Sequence, residues 1–159
     1  MSMNIDYKGV EIGTLPADTS STLVAGRAIR MGTDGKVTTP LASKRVLGLV
    51  NENRISGVIN EVTGQGGIYG SGKVTVLAHG VVTVQQAVYN GVSYSVYDQA
   101  QTYTADDTIF ATPATGVLTN QAIAGATADG MTSVRVGRVL VPPVNPANGD
   151  PMQITVECA

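Results

Sequence analysis

The sequence predicts an all-β protein, either one small β-barrel (β-tulip-like) or a sandwich of short strands. Three observations predict it. First, Lys73–Val84 (KVTVLAHGVVTV) alternates, with Val74, Val76 and Ala78 on one face and Lys73, Thr75 and Leu77 on the other. Period two marks a strand with one buried face, and Val and Thr fit a pleated surface. Second, turn formers break the chain into short runs, notably Asp34-Gly35, Asn90-Gly91 and Pro142-Pro143. Third, the only helical suggestion is Gln121–Ala128, and Gly125 weakens it.

The elements follow in order. Residues 1–21 are polar and irregular, with Ile5, Tyr7, Val10 and Ile12 spaced among turn formers. Such a segment buries little by itself, so an extended arm is expected, either a loose tail or a contact to a neighbouring subunit. Residues 22–159 are expected to form the barrel. Leu23–Met31 reads as a strand interrupted at Gly26, and Thr33–Lys36 as a type I′ hairpin turn returning through Val37–Thr39 to Pro40. Arg45–Val50 is a short strand, and Arg54–Val62 alternates in part. In Lys73–Val84, His79-Gly80 is expected to kink the run into two short strands. Ala87–Gly91 reads as a turn, Val92–Tyr97 as a strand and Asp98–Gln101 as a turn before a short return at Thr102–Thr104. Residues 105–130 are weakly patterned and expected to be one long loop, a kind that is usually functional. Ser133–Val141 is a strand with Gly137 as its kink, ended by Pro142-Pro143, and Met152–Cys158 is a final alternating strand.

Composition narrows the function. The 159 residues suffice for one domain with a real core, and with no Trp and one Phe that core must be mainly Val, Ile, Leu and Ala. A formal net charge of −2, with Lys and Arg scattered from Lys8 to Arg138, gives no general attraction to nucleic acid or an anionic membrane. Cys158 is the sole cysteine, so neither an intrachain disulfide nor a multi-cysteine metal site can form. MSMNIDYKG lacks the layout of a signal peptide, and no apolar run approaches membrane-spanning length. Synthesis in the cytoplasm is expected, followed by solubility or assembly there.

Candidate chemistry is sparse. Gly67–Lys73 approaches a phosphate-binding loop, but Val74 stands where a Ser or Thr would hold magnesium, and the residues that follow are strand formers rather than a helix. His79, the only histidine, is expected at a bend, half exposed. Asp98, Asp106 and Asp107 lie in loops without the ligand spacing of an EF-hand. No two carboxylates sit on strong strands as an acid/base pair. The expectation is therefore no enzyme, no cofactor, and no catalytic or metal-binding residues. Tyr94, Tyr97 and Tyr103 offer either a stacking platform or, more commonly for tyrosine at a barrel rim, interface and half-buried core.

The series of short motifs carries a resemblance. Ala25–Ile29 (AGRAI), Leu47–Val50 (LGLV) and Gly72–Val84 (GKVTVLAHGVVTV) are followed by Asn90–Thr104, Val136–Leu140 (VGRVL) and Ile154–Cys158 (ITVEC). This order resembles the capsid cement, or decoration, proteins of tailed bacteriophages, over roughly Val24–Ala159. Two departures stand out. Gly91-Val92 replaces the family's Gly-Asp, and the insertions near Gly64 and over 105–130 are long. The resemblance implies a non-catalytic β-barrel on the outer surface of the virion, made in the host cytoplasm. It would bind the major capsid protein and copies of itself, as a trimer more than a dimer. Ile5, Tyr7, Val10, Ile12, Tyr97 and Tyr103 are then the expected capsid or subunit contacts. The alternative is a carbohydrate-binding or adhesin-type β-sandwich stacking sugars on its tyrosines.

Overall fold

The computed structural model of the chain describes residues 5–18, 21–50, 54–55, 59–60, 73–89, 91–123 and 134–158. Its strands in chain order begin with β1 (Ile5–Pro16), β2 (Ala28–Met31), β3 (Val37–Thr38), β4 (Gly48–Val50), β5 (Arg54–Ile55), β6 (Ile59–Asn60) and β7 (Lys73–Val84). There follow β8 (Ala87–Tyr89), β9 (Val92–Tyr94), β10 (Thr108–Ala111), β11 (Leu118–Thr119), β12 (Arg135–Val141) and β13 (Met152–Glu157). The fold is all-β, as the alternation predicts. Nine strands form one strongly curled half-barrel, in the order β11-β10-β12-β13-β7-β4-β2-β3 with β1 also on β7. The pairs β5-β6 and β8-β9 stand apart from it.

β7 organises the sheet. One of its edges carries β1 from Ile5↔Val84 to Pro16↔Lys73. The other edge is shared: β4 takes Val76 and Leu77, and β13 takes His79 to Val84. Two branches of sheet therefore diverge from one strand. The device that lets them diverge is a bulge. Val10 pairs with His79 and Glu11 with Leu77, so Ala78 has no partner on β1. One extra residue reverses the side-chain alternation. Leu77 and Val82 accordingly both enter the main core, although on a regular strand they would face opposite ways. Val74 and Val76 enter a second cluster with Leu23, Ile29, Val37 and Val50. The expected break into two short strands at His79-Gly80 is thus a bulge within one continuous strand, with Gly80 at φ +132° beside it.

The main core is filled from both branches, by Leu49, Val84, Val96, Ile109, Leu118, Met152 and Ile154 among others. β13 reads as a strand with every second residue buried, Met152, Ile154 and Val156. Burying each such side chain contributes roughly 1.5–3 kcal/mol.

Several expectations need correction. The strand read over Leu23–Met31 begins only at Ala28, because Gly26 takes φ +95° and its N–H bonds Val50 O at 2.8 Å. A Cβ on Gly26 would meet Val96 Cγ1 at 2.8 Å. The β2–β3 turn is not type I′. Only Gly35 has positive φ, its N–H bonds Gly32 O at 3.1 Å, and Gly32 N–H bonds Lys36 O at 2.7 Å. This is the three-residue hairpin, a turn followed by one left-handed glycine. Ala87–Gly91 holds a strand as well as a turn, since Tyr89↔Val92 closes a hairpin over Asn90-Gly91. Residues 105–130 are not one long loop. They contain β10 and β11, paired Phe110↔Thr119 and Ala111↔Leu118. Residues 1–4, the glycine-rich stretch Gly64–Gly72 and residues 124–128 of the helical suggestion Gln121–Ala128 lie outside the described residues, and residues 121–123 are not helical.

Candidate functional site

Ile5, Tyr7, Val10 and Ile12 all fall on β1. Ile5 stands opposite Val84, Tyr7 opposite Val82 and Val10 opposite His79, while Ile12 occupies a register shift between Glu11 and Gly13. The backbone of this segment belongs to the chain's own sheet. It is neither a loose tail nor free of the barrel, because β7 offers it a full-length edge.

Tyr97 and Tyr103 are not surface contacts. They are 1% and 5% exposed, and their rings meet edge to face, 5.5 Å apart at 82°. Tyr97 Oη donates to Asp150 O at 2.6 Å, and Tyr103 Oη donates to Asp98 O at 2.8 Å. Burial pushes the Tyr97 phenol up to about 12, with Asp150 adding to the shift. Tyr103 is pushed up further, by burial first and Asp98 next. A buried phenol satisfied by a backbone carbonyl is how tyrosine serves a core. The composition held the signal: a chain without Trp and with a single Phe must spend tyrosines inside. Of the proposed stacking platform only Tyr94 keeps partial exposure, so two of its three rings are lost to the core.

The polar candidates are engaged locally. Asp107 accepts from Thr104 N at 2.9 Å, Thr104 Oγ1 at 2.8 Å and Asn120 Nδ2 at 3.1 Å. The Thr104 backbone bond, then Asn120 and the Thr104 hydroxyl, hold its carboxyl below the usual value. Asp98 accepts from Ala100 N at 3.0 Å and Gln101 Nε2 at 3.3 Å. Asp106 pairs with Arg138 at 2.9 Å, and Glu157 with Arg135 at 2.8 Å and Arg138 at 3.6 Å. Burial acts to raise the Glu157 pKa, but the Arg135 hydrogen bond and the charges of Arg135 and Arg138 outweigh it and leave it lowered. His79 is exposed, opposite Val10 and Glu157. Burial pushes the Cys158 thiol up to about 12, which leaves it a weak nucleophile. Lys73 opens a strand, not a helix, so it lacks the dipole a phosphate loop uses. Among the described residues no cluster of three His, Cys, Asp or Glu could hold a metal ion. A shallow cleft of about 290 Å³ is lined by Ser95, Tyr97, Asp98, Gln99, Thr112, Thr115 and Val117.

What the sequence reading missed is apolar and outward. Val88 and Val92 are 52% and 48% exposed, and Val141 and Val144 are 54% and 96% exposed. Val88 pairs with Ser93 and Val92 with Tyr89, so the two valines lie on opposite faces of the β8–β9 hairpin. This hairpin is tied to the turn beyond Val144: Gln86 N–H bonds Gly149 O at 3.0 Å. A two-stranded ribbon with an exposed valine on each face is unusual unless something covers it. The available signal was Leu140-Val141, two adjacent apolar residues just before a Pro-Pro stop, where alternation cannot bury both.

No family profile matches the chain, and no curated protein matches it.

Proposed function

We propose that this chain is a capsid decoration protein that docks on the outside of a tailed-phage head and bridges neighbouring major capsid subunits. The observation that supports the reading is the exposed apolar residues Val88 and Val92 on the β8–β9 hairpin, Val144 before the adjoining turn and Leu140-Val141 at the end of β12, with Met31 and Leu41 exposed elsewhere. Such a surface suits docking on another protein. The motifs of the resemblance lend support, since LGLV, KVTVLAHGVVTV, VGRVL and ITVEC fall on or run into β4, β7, β12 and β13 at the centre of the sheet. On a symmetric shell, contacts that are weak singly gain from high effective concentration.

The test is co-sedimentation of the purified protein with expanded phage shells. Saturable binding that Val88→Asp/Val92→Asp weakens, with thermal stability unchanged, is the expected result. Absence of binding at any concentration would overturn the reading. Binding that the double variant leaves intact would move the contact off this hairpin.

A further inference from the structure

Arg27 carries a charge that no acid among the described residues answers. Its side chain is partly buried, and its Nε donates to Ser95 O at 2.8 Å. Its two terminal nitrogens make no hydrogen bond among those residues. Neither is sealed inside, since the buried side-chain nitrogen left without a partner there is Arg30 Nε. The guanidinium fork therefore opens outward. Arg135 and Arg138, by contrast, are paired with Glu157 and Asp106. The chain has 12 acidic residues against 10 basic ones, so acids are not scarce, yet none of the described ones is placed at Arg27. Burial pushes the guanidinium pKa down, with the nearby Tyr94 phenol acting against it. A cation that has lost part of its water without a counter-charge gains from an anion that arrives later.

The setting is rigid. Arg27 N–H bonds Val24 O at 2.9 Å, and Val50 N–H bonds Arg27 O at 3.0 Å. On either side, Gly26 N–H is held by Val50 O and Ala28 N–H by Gly116 O. The Ser95 bond then fixes the plane of the guanidinium. A fork held in one orientation matches the two oxygens of a carboxylate. Tyr94, next to Ser95, is partly exposed, and Val92, 48% exposed, lies on the same face of β9 two residues away. Arginine, tyrosine and an open aliphatic side chain together have the composition of a protein-docking anchor.

We infer that Arg27, Tyr94 and Val92 form a docking site for an acidic side chain of a partner protein, with its carboxylate on the guanidinium fork and its apolar neighbours against β9. The occupant is acidic because the charge is uncompensated, and it is a protein because the flanking contacts are apolar and open. The site goes beyond the decoration reading and does not depend on it.

An NMR titration of the full chain tests the site without any shell present. The probes are the capped tripeptide Leu-Glu-Leu, its Leu-Gln-Leu analogue and sodium butyrate. Leu-Glu-Leu should give saturable shifts at the Arg27 Nε–Hε signal and the Ser95 amide. Leu-Gln-Leu should bind at least about tenfold more weakly, because it brings no charge to the fork. Butyrate should bind more weakly than Leu-Glu-Leu, because it lacks the flanking leucines. Arg27→Gln should bind the two peptides alike, and Arg27→Lys should keep only part of the preference, since an ammonium has no fork. The parent's preference between the peptides is read without any variant. Shifts that do not saturate, equal binding of the two peptides by the parent, or a preference that survives in Arg27→Gln would each overturn the site. Butyrate binding as tightly as Leu-Glu-Leu would overturn its assignment to a protein partner.

Discussion

Substituting Gly137 with alanine tests the close approach of β12 and β13. Gly137 lies on β12 opposite Ile109 of β10 and against β13. A Cβ built there would sit 2.7 Å from the Thr155 carbonyl carbon, closer still to its oxygen, and 3.0 Å from Thr155 Oγ1. Ordinary contact begins near 3.4 Å. The obstacle is backbone, so no rotamer change relieves it, and β12 and β13 must part by roughly 1 Å, enough to break a hydrogen bond. The bond from Arg138 N–H to Thr155 Oγ1, 3.0 Å long, lies directly in the way, and the Val139↔Ile154 pairing follows it. Overpacking costs typically 1–3 kcal/mol and each lost hydrogen bond about 1 kcal/mol more, so a total of about 3 kcal/mol is expected. For a chain of this size that lowers Tm by about 6–12 °C. Circular dichroism melts read it directly. Gly35→Ala is the control: its φ of +80° carries strain, but nothing lies within 4 Å, so about 1 kcal/mol is expected. A Gly137→Ala protein melting no lower than Gly35→Ala would refute the close approach of β12 and β13.

Three further outcomes are expected. Tyr97→Phe deletes the 2.6 Å bond to Asp150 O and should lower stability in urea by about 1 kcal/mol; equal stability would put the hydroxyl in water. Asp107→Asn should cost about 0.5–1 kcal/mol at neutral pH, discounted for solvent screening. Because the folded state lowers the Asp107 pKa, its contribution is full above the ordinary value of 3.8 and fades as pH falls through the lower folded value. The gap between parent and variant should therefore close in acid, and a gap that widens there would contradict the assignment. Cys158 should resist thiol reagents at pH 8 in the native state and react fully in denaturant, since burial pushes its thiol up to about 12; rapid native labelling would count against its burial.

How much of this was legible depends on how far each element obeys local rules. β13 alternates without interruption and sits flat on the core, so period two finds it. β7 alternates too, but its bulge lies at Ala78, two residues before the glycine that invited the kink, because the position is set by the junction of β4 and β13 rather than by Gly80 alone. Strands as short as β8 and β11 carry too few residues to show a period, and only pairing with their neighbours defines them. β10 was within reach: Ile109 and Ala111 are buried while Thr108 and Phe110 are partly exposed, a clean alternation overlooked in an Ala- and Thr-rich background. For the candidate contacts the failure was one of orientation. Tyr97 continues the Val92–Tyr94 alternation on paper, yet β9 ends at Tyr94 and Val96 and Tyr97 are both buried after it. Which apolar residues remain outside is a property of the whole sheet, so Val88 and Val144 could not be singled out from neighbours along the chain.

The most direct measurement is the copy number of this protein in intact phage particles from the source culture, set against the major shell subunit by quantitative mass spectrometry. A decoration role requires a fixed ratio, equal from one preparation to the next and retained through density-gradient purification. A protein found only in the free fraction, or at a ratio that drifts between preparations, would contradict the account.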